Sequence, residues 1–406
     1  MADKSFPFTP TALKEVVSRF GTPFHIYDEK GIRITARKLN GAFSWAPKFK
    51  EYFAVKALPN PTILSILKEE GLGVDCSSMS ELLLAEMVGF KGEEIMFSSN
   101  NTQIEEFRKA LEMGAIINFD DFEHIEFIKT NAGLPKVASC RYAPEAFGKG
   151  DTIMGETGST KFGMTRKQLI KALLLLNKHG VERLGVHMMT RTKVLDVGFF
   201  LDNAKILFDI VREAEHAGLR IEFINLSGGI GIPYHTNENA FELDKYSKTL
   251  YELFHASEFK NMGIAMELGR YVTGPHGWLV TKVLHVKNSN KRFAGIDASM
   301  ADLMRPGMYG AYHHISVIGK DKAEFAYDVV GSLCENTDTF AKDRMLPSLV
   351  PGDIIIIHDT GAHGHSMGFN YNGKLRAKEL LLRENGTVEM IRRAETFSDY
   401  IATLKF

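Results

Sequence analysis

The feature that most constrains this chain is a regular alternation of short apolar strands with amphipathic helices over its first two thirds. The strand-like runs are rich in β-branched and aromatic residues, and the segments between them have helical periodicity. Eight such runs, each followed by a crossover or a return, predict a closed TIM-like (β/α)8 barrel rather than an open doubly wound sheet. The predicted strands are 52–57, 73–78, 95–99, 116–120, 137–142, 184–189, 223–228 and 264–269.

The pattern changes near Pro275, after which helices almost vanish and short strands alternate with turns. This predicts an all-β domain, a β-sandwich or a small β-barrel. A strand-like segment at 22–27 has no partner in the barrel, so we expect it to join the C-terminal sheet. The predicted domains are 1–30, the N-terminal strand of the β-domain; 31–272, the cofactor-binding barrel; and 273–406, the C-terminal β-domain. The predicted β-domain strands are 280–287, 292–297, 313–318, 327–331, 353–358 and 380–383.

Charge and cysteine content exclude several classes of function. A formal net charge of −1 gives no general attraction for nucleic acid or for an acidic membrane. Apolar runs such as 354–357 are far shorter than the roughly 20 residues that span a bilayer. Three cysteines, Cys76, Cys140 and Cys334, are too few for a disulfide framework. We therefore expect a cytoplasmic protein without nucleic-acid or membrane partners.

Lys56 ends the first predicted barrel strand, in Tyr-Phe-Ala-Val-Lys-Ala. Active sites of (β/α)8 barrels lie at the C-terminal ends of the strands. Apolar neighbours destabilise the charged form of an amine, which favours the neutral nucleophile that Schiff-base formation with an aldehyde requires. Taken alone, Lys56 fits a surface lysine beyond the strand better, and its position gains weight only from the other segments.

Two glycine-containing segments follow the last two predicted barrel strands. Ser227-Gly-Gly-Ile-Gly offers backbone amides to an anion, and the loops after strands seven and eight of such barrels commonly bind phosphate. Glu267-Leu-Gly-Arg270 puts a carboxylate at the barrel centre, where it needs a cationic partner such as a pyridinium nitrogen. Arg270 suits a phosphate or a carboxylate. An ordinary tight turn and an internal Glu–Arg pair remain the alternatives.

His187 ends the sixth predicted strand. Its imidazole can stack on a flat cofactor, and the alternative is an ordinary hydrogen-bonded core histidine. The predicted β-domain adds polar clusters that offer a cation, a phenol, a thiol and a carboxylate. These clusters are Arg305-Pro-Gly-Met-Tyr309, Cys334-Glu335 and the glycine-rich segment 361–372.

The glycine-rich segment contains two histidines, His363 and His365, which raises the question of a metal. No third ligand stands at metal-binding spacing, and the chain has no HExxH or CxxC motif. We therefore expect no metal site.

Together these segments resemble the fold-type III pyridoxal-phosphate-dependent decarboxylases, and most closely the diaminopimelate decarboxylases among them. The resemblance runs nearly end to end. Each motif is weak by itself, but their common order along a barrel followed by a β-domain is specific. The motifs are Thr22-Pro-Phe-His-Ile-Tyr-Asp, Tyr-Phe-Ala-Val-Lys56-Ala, Ser159-Thr-Lys-Phe-Gly, Gly228-Gly229, Glu267-x-Gly-Arg270, Arg305-Pro-x-x-Tyr309, Cys334-Glu335 and Asn370-Tyr-Asn.

The resemblance implies a role for each matching residue. Lys56 would join the aldehyde of pyridoxal 5′-phosphate, His187 would stack on the ring, and Glu267 would pair with the ring nitrogen. Cys334 would donate a proton across a homodimer interface, so that two chains would share each active site. The phosphate side would be held by Thr190, Gly228, Gly229, Gly269, Arg270 and Tyr371. The far end of the substrate would be bound by Arg305, Tyr309 and Glu335, with Arg270 and Tyr371 contributing.

The implied reaction is decarboxylation of an amino acid, and most specifically of meso-diaminopimelate to L-lysine in lysine biosynthesis. Ornithine and lysine end in a bare ammonium, and a site for them needs a distal carboxylate without arginines beside it. Arg305 and Arg270 instead indicate a second substrate carboxylate. The alternatives are decarboxylation of ornithine, lysine or a conjugated diaminoacid, and a non-catalytic homologue. An alanine racemase shares the barrel and cofactor, but Cys334-Glu335 favours decarboxylation.

The chain departs from the family pattern at several positions. The usual His-Ile-Gly-Ser-Gln is His187-Met-Met-Thr190-Arg191 here, and Arg191 is a new, bulky cation next to a retained hydroxyl. These departures leave the cofactor lysine and the thiol intact, so they bear on the substrate rather than on the reaction type. The other departures are Ser227 for the first glycine of a triple, Leu268 for the proline of Glu-Pro-Gly-Arg, Asn336 for a serine and His363 for a tyrosine.

Overall fold

The computed structural model of the chain describes residues 4–46, 48–144 and 160–405. Ser159, which begins one of the family motifs, lies outside these residues. The chain divides into two compact units. The β unit comprises the described parts of 1–32, 233–240 and 273–406, and the barrel unit comprises those of 33–232 and 241–272. The domain boundaries predicted from the sequence stay a prediction.

The N-terminal segment begins with a capped helix. In helix α1 (Pro10–Phe20), the side chain of Thr9 accepts a hydrogen bond from the backbone nitrogen of Ala12 at 3.2 Å, which satisfies one free amide of the first turn. Leu13 and Val16 are its buried residues. Strand β1 (Phe24–Asp28) and helix α2 (Glu29–Ala42) follow.

Eight parallel strands close into a barrel in chain order, and the first pairs with the last through Phe49 and Ile264. The predicted TIM-like barrel is therefore confirmed. The strands are short and nearly continuously buried, as expected for parallel strands covered by helices. They are β2 (Phe49–Ala54), β3 (Gly73–Cys76), β4 (Ile95–Ser98), β5 (Ile116–Phe119), β6 (Val137–Tyr142), β7 (Arg183–Met188), β8 (Ile221–Asn225) and β9 (Gly263–Met266).

Four helices of the barrel unit begin at a side chain that accepts an amide hydrogen bond. Asn60, Ser78, Thr165 and Asp196 each cap a helix in this way. These caps mark the first turn of four of the helices that connect the barrel strands. The helices are α3 (Pro61–Glu69), α4 (Met79–Val88), α5 (Ile104–Glu112), α6 (Glu123–Asn131), α7 (Arg166–Lys178), α8 (Val197–His216) and α9 (Leu243–His255).

After the short helix α10 (Arg270–Thr273), the chain forms a nine-stranded, mostly antiparallel sheet, and the predicted all-β domain is confirmed. The strand order is β14-β13-β11-β10-β1-β16-β17, with β15 paired to both β10 and β12. The elements are β10 (Gly277–Asn288), β11 (Arg292–Ile296), α11 (Arg305–Tyr309), β12 (Ile315–Val317), β13 (Phe325–Val330), β14 (Thr339–Leu346), β15 (Ile354–Ile357), β16 (Lys378–Leu382), β17 (Val388–Arg392) and α12 (Phe397–Ile401).

Both faces of this sheet bury apolar side chains. Leu279 and Ile355 belong to one core cluster, whereas their neighbours Val280 and Ile356 belong to another, together with Leu13 of α1. This alternation follows from the two-residue period of a strand. Strand β1 lies between β10, to which it is antiparallel, and β16, to which it is parallel. The first strand of the chain is thus interior to a sheet made otherwise of its last third.

Candidate active site

The carboxylate of Glu267 is the centre of the polar interior at the carboxyl end of the barrel. Glu267 directly follows β9 and is buried. Its Oε1 accepts hydrogen bonds from Asn225 Nδ2 at 2.6 Å and from Ser98 Oγ at 3.4 Å. Its Oε2 accepts one from Ser227 Oγ at 3.0 Å and lies 3.2 Å from His187 Nε2. Because a carboxylate oxygen only accepts, His187 carries a proton on Nε2, and four donors surround the carboxylate.

These donors decide the charge of Glu267. Burial acts to raise the pKa of Glu267, but attraction to His187, hydrogen bonds from His187 and Asn225, and attraction to Lys56 outweigh it and hold that pKa at about 2. Glu267 is therefore a carboxylate at neutral pH. A permanent negative charge at the closed centre of a barrel suits a cationic partner.

Lys56 lies in a single 3₁₀ turn, Val55–Ala57, that follows β2. Val55 and Ala57 are buried, but the side chain of Lys56 is exposed. The expectation that apolar neighbours enclose this amine is therefore wrong, because β2 ends at Ala54 and Lys56 stands beyond the strand. Its charge acts to lower the pKa values of three carboxyl groups, those of Asp75, Glu81 and Glu267.

Asp75 is a second buried carboxyl group near the first. Burial raises the pKa of Asp75 well above its ordinary value, the charge of Glu267 adds to the rise, and Lys56 opposes it. Its Oδ1 atom is buried without a hydrogen-bond partner. The pKa values of two neighbouring carboxyl groups are thus shifted in opposite directions, which is a recurrent arrangement at sites of proton transfer.

A chain of hydrogen bonds continues from Glu267 across the next strands. Asn118 Nδ2 donates to Ser98 Oγ at 3.2 Å, and Ser139 Oγ donates to Asn118 Oδ1 at 2.7 Å. Sequence reasoning did not single out Asp75, Ser98, Asn118, Ser139 or Asn225. The signal was available, because each is a polar residue within a predicted buried strand, where it needs a partner.

The glycines after β8 allow close backbone approach. A Cβ atom on Gly228 would lie 2.4 Å from the carbonyl oxygen of Glu267, and one on Gly229 would lie 2.3 Å from that of Arg191. Gly229 also has a φ of +98°, a conformation that favours glycine. The turn is therefore packed against the segments that follow β9 and β7, and no larger residue fits at either position.

The remaining predicted barrel residues line the same loops. Thr190 is buried, and its Oγ1 accepts a hydrogen bond from Asn203 Nδ2 of α8 at 3.3 Å. Arg270 is buried and begins α10. A Cβ atom on Gly269 would lie 2.7 Å from that of Ala57, next to Lys56. The guanidinium of Arg191 lies 5.6 Å from the ring centre of Phe199, and its Nε is buried without a hydrogen-bond partner.

Arg305 belongs to the β unit, where it is buried. Its Nη1 donates to Tyr234 Oη at 2.9 Å and lies 3.0 Å from His313 Nε2. Because His313 Nδ1 lies 2.7 Å from the carbonyl oxygen of His358, the ring proton is on Nδ1, and Nε2 accepts from Arg305. The guanidinium is thus held in a fixed orientation by an aromatic alcohol and an imidazole.

The other predicted residues of the β unit, Tyr309, Cys334, Glu335 and Tyr371, are exposed. The backbone nitrogen of Cys334 donates to Asn372 Oδ1 at 2.6 Å, which joins the thiol loop to the turn that carries Tyr371.

Asp338 holds the same loop from the other side, and sequence reasoning missed it. Its carboxylate accepts hydrogen bonds from the backbone nitrogens of Leu333, at 2.7 Å, and Met300, at 2.6 Å. A Cβ atom on Gly307 of α11 would lie 2.2 Å from the carbonyl oxygen of Thr337, so α11 packs tightly on this loop.

Neither a metal centre nor a membrane helix is found in the described parts of the chain. No group of three or more histidine, cysteine, aspartate or glutamate side chains there is arranged to hold a metal ion. Likewise, none of the helices within residues 4–46, 48–144 and 160–405 is long and apolar enough to cross a membrane.

Comparison with known proteins gives end-to-end matches. Residues 32–274 match the model of the family described as pyridoxal-dependent decarboxylase, pyridoxal binding domain. Protein TabA of Pseudomonas amygdali pv. tabaci is 43% identical over 97% of this chain and 94% of its own length. Diaminopimelate decarboxylase of Methanothermobacter thermautotrophicus is 36% identical over 95% of this chain and 92% of its own.

Solved structures agree with these matches. The crystal structure of diaminopimelate decarboxylase from Helicobacter pylori complexed with L-lysine superimposes with a TM-score of 0.89 at 32% identity, covering 96% of this chain and 98% of that chain. The structure of diaminopimelate decarboxylase from M. jannaschi gives a TM-score of 0.90 at 29% identity, covering 97% of this chain and 94% of that chain.

Proposed function

This chain belongs to the pyridoxal-dependent decarboxylases, carboxy-lyases that use pyridoxal 5′-phosphate, and we propose that it converts meso-diaminopimelate to L-lysine. The main support for this substrate is the match over nearly the whole chain to diaminopimelate decarboxylases. The reaction would be a step of lysine biosynthesis.

The residues at the carboxyl end of the barrel fit this cofactor. Glu267 offers a buried negative charge for a protonated ring nitrogen. His187 leaves its Nδ1 buried without a partner, so the imidazole has capacity for a further contact. Gly228 and Gly229 leave room for backbone only, which suits a close approach of amides to a phosphate. Lys56 presents an exposed amine beside this set.

In the proposed mechanism, Lys56 would hold the cofactor through its aldehyde. When bound, pyridoxal phosphate would supply a ring that accepts the electron pair released as carbon dioxide leaves. Glu267, which is ionised, would keep a proton on the ring nitrogen. His187 would contact the ring. The phosphate side would be held by Thr190, Gly228, Gly229, Gly269, Arg270 and Tyr371.

We assign the final proton transfer to the thiol of Cys334 and propose that it comes from the partner subunit of a homodimer. Cys334 is exposed in the single chain, as a residue that completes another subunit's site must be before assembly. An exposed thiol stays reduced in a reducing compartment, which supports a cytoplasmic location.

Substrate selection is assigned to Arg305, Tyr309 and Glu335, with Arg270 and Tyr371 contributing. The far end of meso-diaminopimelate carries a carboxylate and an ammonium, which match two donors and one acceptor. Arg305 supports this assignment because Tyr234 and His313 fix its guanidinium, so binding costs little further ordering.

Another diaminoacid is the competing substrate. The match to protein TabA has a higher identity than the match to the archaeal diaminopimelate decarboxylase. Arg191 adds a cation where the family pattern has glutamine, and its Nε has no hydrogen-bond partner within the described part of the chain. A substrate with an extra anionic or conjugated group would suit that position.

Release of carbon dioxide from meso-diaminopimelate, lysine, ornithine and conjugated diaminoacids tests the substrate. We expect kcat/KM for meso-diaminopimelate to exceed those for lysine and ornithine by roughly 10⁴-fold, because both lack the distal carboxylate and leave a buried arginine without its partner. Arg305→Met should remove most of this preference while scarcely changing the slow reaction with lysine. Tyr234→Phe keeps the ring but removes the hydroxyl that orients Arg305, so it should lower the preference by less than Arg305→Met does. A higher kcat/KM for any other diaminoacid would reject this substrate but leave the carboxy-lyase assignment intact.

Subunit mixing tests the shared site. Lys56→Ala and Cys334→Ala should each be nearly inactive, and their mixture should regain up to about a quarter of wild-type activity, because random exchange makes half of the dimers mixed and each mixed dimer has one intact site. Exchange that is proven by labelled subunits but restores no activity would contradict a shared site.

A further inference from the structure

Two residues that contact or adjoin Glu267 differ from the family pattern, and Ser227 is the first of them. It has a φ of +56°, in the left-handed region where glycine is free of strain and serine is not. Its hydroxyl donates to Glu267 Oε2 at 3.0 Å, and its carbonyl oxygen accepts from the backbone nitrogen of Glu267 at 2.8 Å. A glycine at this position would keep the backbone bond and lose the bond to the carboxylate.

Leu268, which directly follows Glu267, is the second residue that differs from the family pattern. It connects the backbone of this segment to strand β2. Its backbone nitrogen donates to Glu51 Oε1 at 2.6 Å. Proline, which the family pattern has here, carries no N–H and cannot make this bond. Glu51 is buried in β2, and burial raises its pKa well above the ordinary value. The hydrogen bond from Leu268 opposes this rise.

We propose that Ser227 and Glu51 are positioning residues for Glu267. Glu51 holds the backbone immediately after Glu267, and Ser227 holds both the backbone nitrogen and Oε2 of Glu267 itself. Three hydrogen bonds therefore fix the direction of the carboxylate toward the cofactor ring nitrogen. The proposal rests on the role proposed above for Glu267 and does not depend on which diaminoacid is the substrate.

The test compares the dissociation constants of pyridoxal 5′-phosphate and of its 1-deaza analogue, in which C–H replaces the ring nitrogen. Both carry the same aldehyde and phosphate, so the ratio of the two constants reports the ring-nitrogen contact alone. Ser227→Ala and Ser227→Gly should each lower the preference for pyridoxal phosphate by about tenfold, the usual effect of losing a hydrogen bond to a charged group.

The two variants separate positioning from stability. Alanine retains the strained backbone conformation and glycine relieves it, so Ser227→Gly should have the higher Tm of the two. If Ser227 positions Glu267, both variants lose the same preference despite different Tm values. A preference that follows Tm, or one that stays at the wild-type value in both variants, overturns the role of Ser227.

Glu51 offers its own matched pair. Glu51→Gln keeps an oxygen acceptor for Leu268 and should keep the wild-type preference, whereas Glu51→Met leaves that amide unpaired and should lower the preference about threefold to tenfold. Equal preferences in the two variants would overturn the role of Glu51.

Glu267→Gln distinguishes this proposal from the one on which it rests. If the wild-type protein shows no preference for the ring nitrogen, or if Glu267→Gln retains that preference, the proposed role of Glu267 itself is wrong. If the preference depends on Glu267 but not on Ser227 or Glu51, only the positioning proposal fails.

Discussion

The two ends of the barrel use charged residues in opposite ways. At the carboxyl end, Glu267 is buried, surrounded by four donors and close to Asp75, a second carboxyl group whose pKa is raised by burial. At the amino end, Arg183 forms a forked ion pair with Glu222, with N–O distances of 2.7 and 2.8 Å, and a further pair with Glu93 near the surface.

A cavity of about 420 Å³ also opens at the amino end, and Arg183, Glu222 and Glu93 line it. Arg183 is already paired with both carboxylates, so its charge is compensated within the protein. The comparison of the two ends shows that a cavity lined by charged residues does not by itself indicate a functional site in this barrel. We infer a site at the carboxyl end because its charges are buried and because polar atoms such as His187 Nδ1 have no hydrogen-bond partner among the described residues.

Lysines at opposite ends of β2 give the largest expected contrast. Lys56→Ala should lower decarboxylation by at least about 10⁴-fold, because it removes the amine that joins the cofactor. Lys50→Ala, at the amino end, should leave the rate unchanged, since Lys50 donates to the backbone carbonyl oxygen of Gly71, away from the candidate site. Borohydride reduction of the holoenzyme followed by peptide mapping should label Lys56 alone. A label on Lys50 would reverse the assignment of the two ends.

Glu267→Gln should give the next largest effect, a fall in kcat of roughly 10²- to 10³-fold with Lys56 intact. The amide keeps the shape of the side chain but removes the charge that retains a proton on the ring nitrogen. The control is Glu222→Gln, which removes a carboxylate charge at the amino end. Equal rates for the two variants would mean that burial of Glu267 has no catalytic consequence.

Asp75→Asn should raise the free energy of unfolding at pH values where the buried carboxyl group of Asp75 would otherwise be ionised. The folded-state pKa of Asp75 is raised, so its contribution to stability is complete below the unfolded pKa of about 3.8 and is lost as pH rises toward the folded pKa. The variant should therefore raise Tm by roughly 2 °C at pH 8 and by nothing near pH 3.5. A Tm increase of equal size at both pH values would show that the ionisation of Asp75 is not the cause.

The smallest effect is expected at the amino end. A double-mutant cycle of Arg183→Ala and Glu222→Ala should give a coupling free energy below about 1 kcal/mol, because the pair is partly exposed and screened by solvent. Urea unfolding of the four proteins at low and high salt measures it. A coupling of several kcal/mol that is insensitive to salt would remove the contrast between the two ends.

Much of the barrel could be predicted, because each of its strands is a short apolar run between helices of clear period. The strands that were missed, β14 and β17, lie at the two edges of the β sheet. Edge strands have fewer buried positions, so the sequences Thr339–Leu346 and Val388–Arg392 carry many charged residues and lose the alternation that reveals a strand.

The residues of the candidate site also differ in how readily the sequence reveals them. Lys56, His187 and Glu267 could be proposed from the sequence because their residue types are reactive and because they stand at or near the ends of predicted strands. Asn225 and Ser227 are ordinary polar residues, and their importance appears only when β8 and β9 bring them within 3.0 Å of Glu267. Such contacts depend on strand register, which a single sequence does not determine.

The pairing of strand β1 implies an order in which the two units fold during synthesis. Residues 24–28 leave the ribosome first, yet their partners are Gly277–Val280 and Lys378–Leu382, which leave it some 250 to 350 residues later. At about 5–20 residues per second, β1 waits tens of seconds with both edges unpaired. The barrel strands, complete by Met266, need no partner from the C-terminal third. Vectorial synthesis therefore favours a barrel that closes first, followed by a β unit that assembles only when nearly the whole chain has emerged.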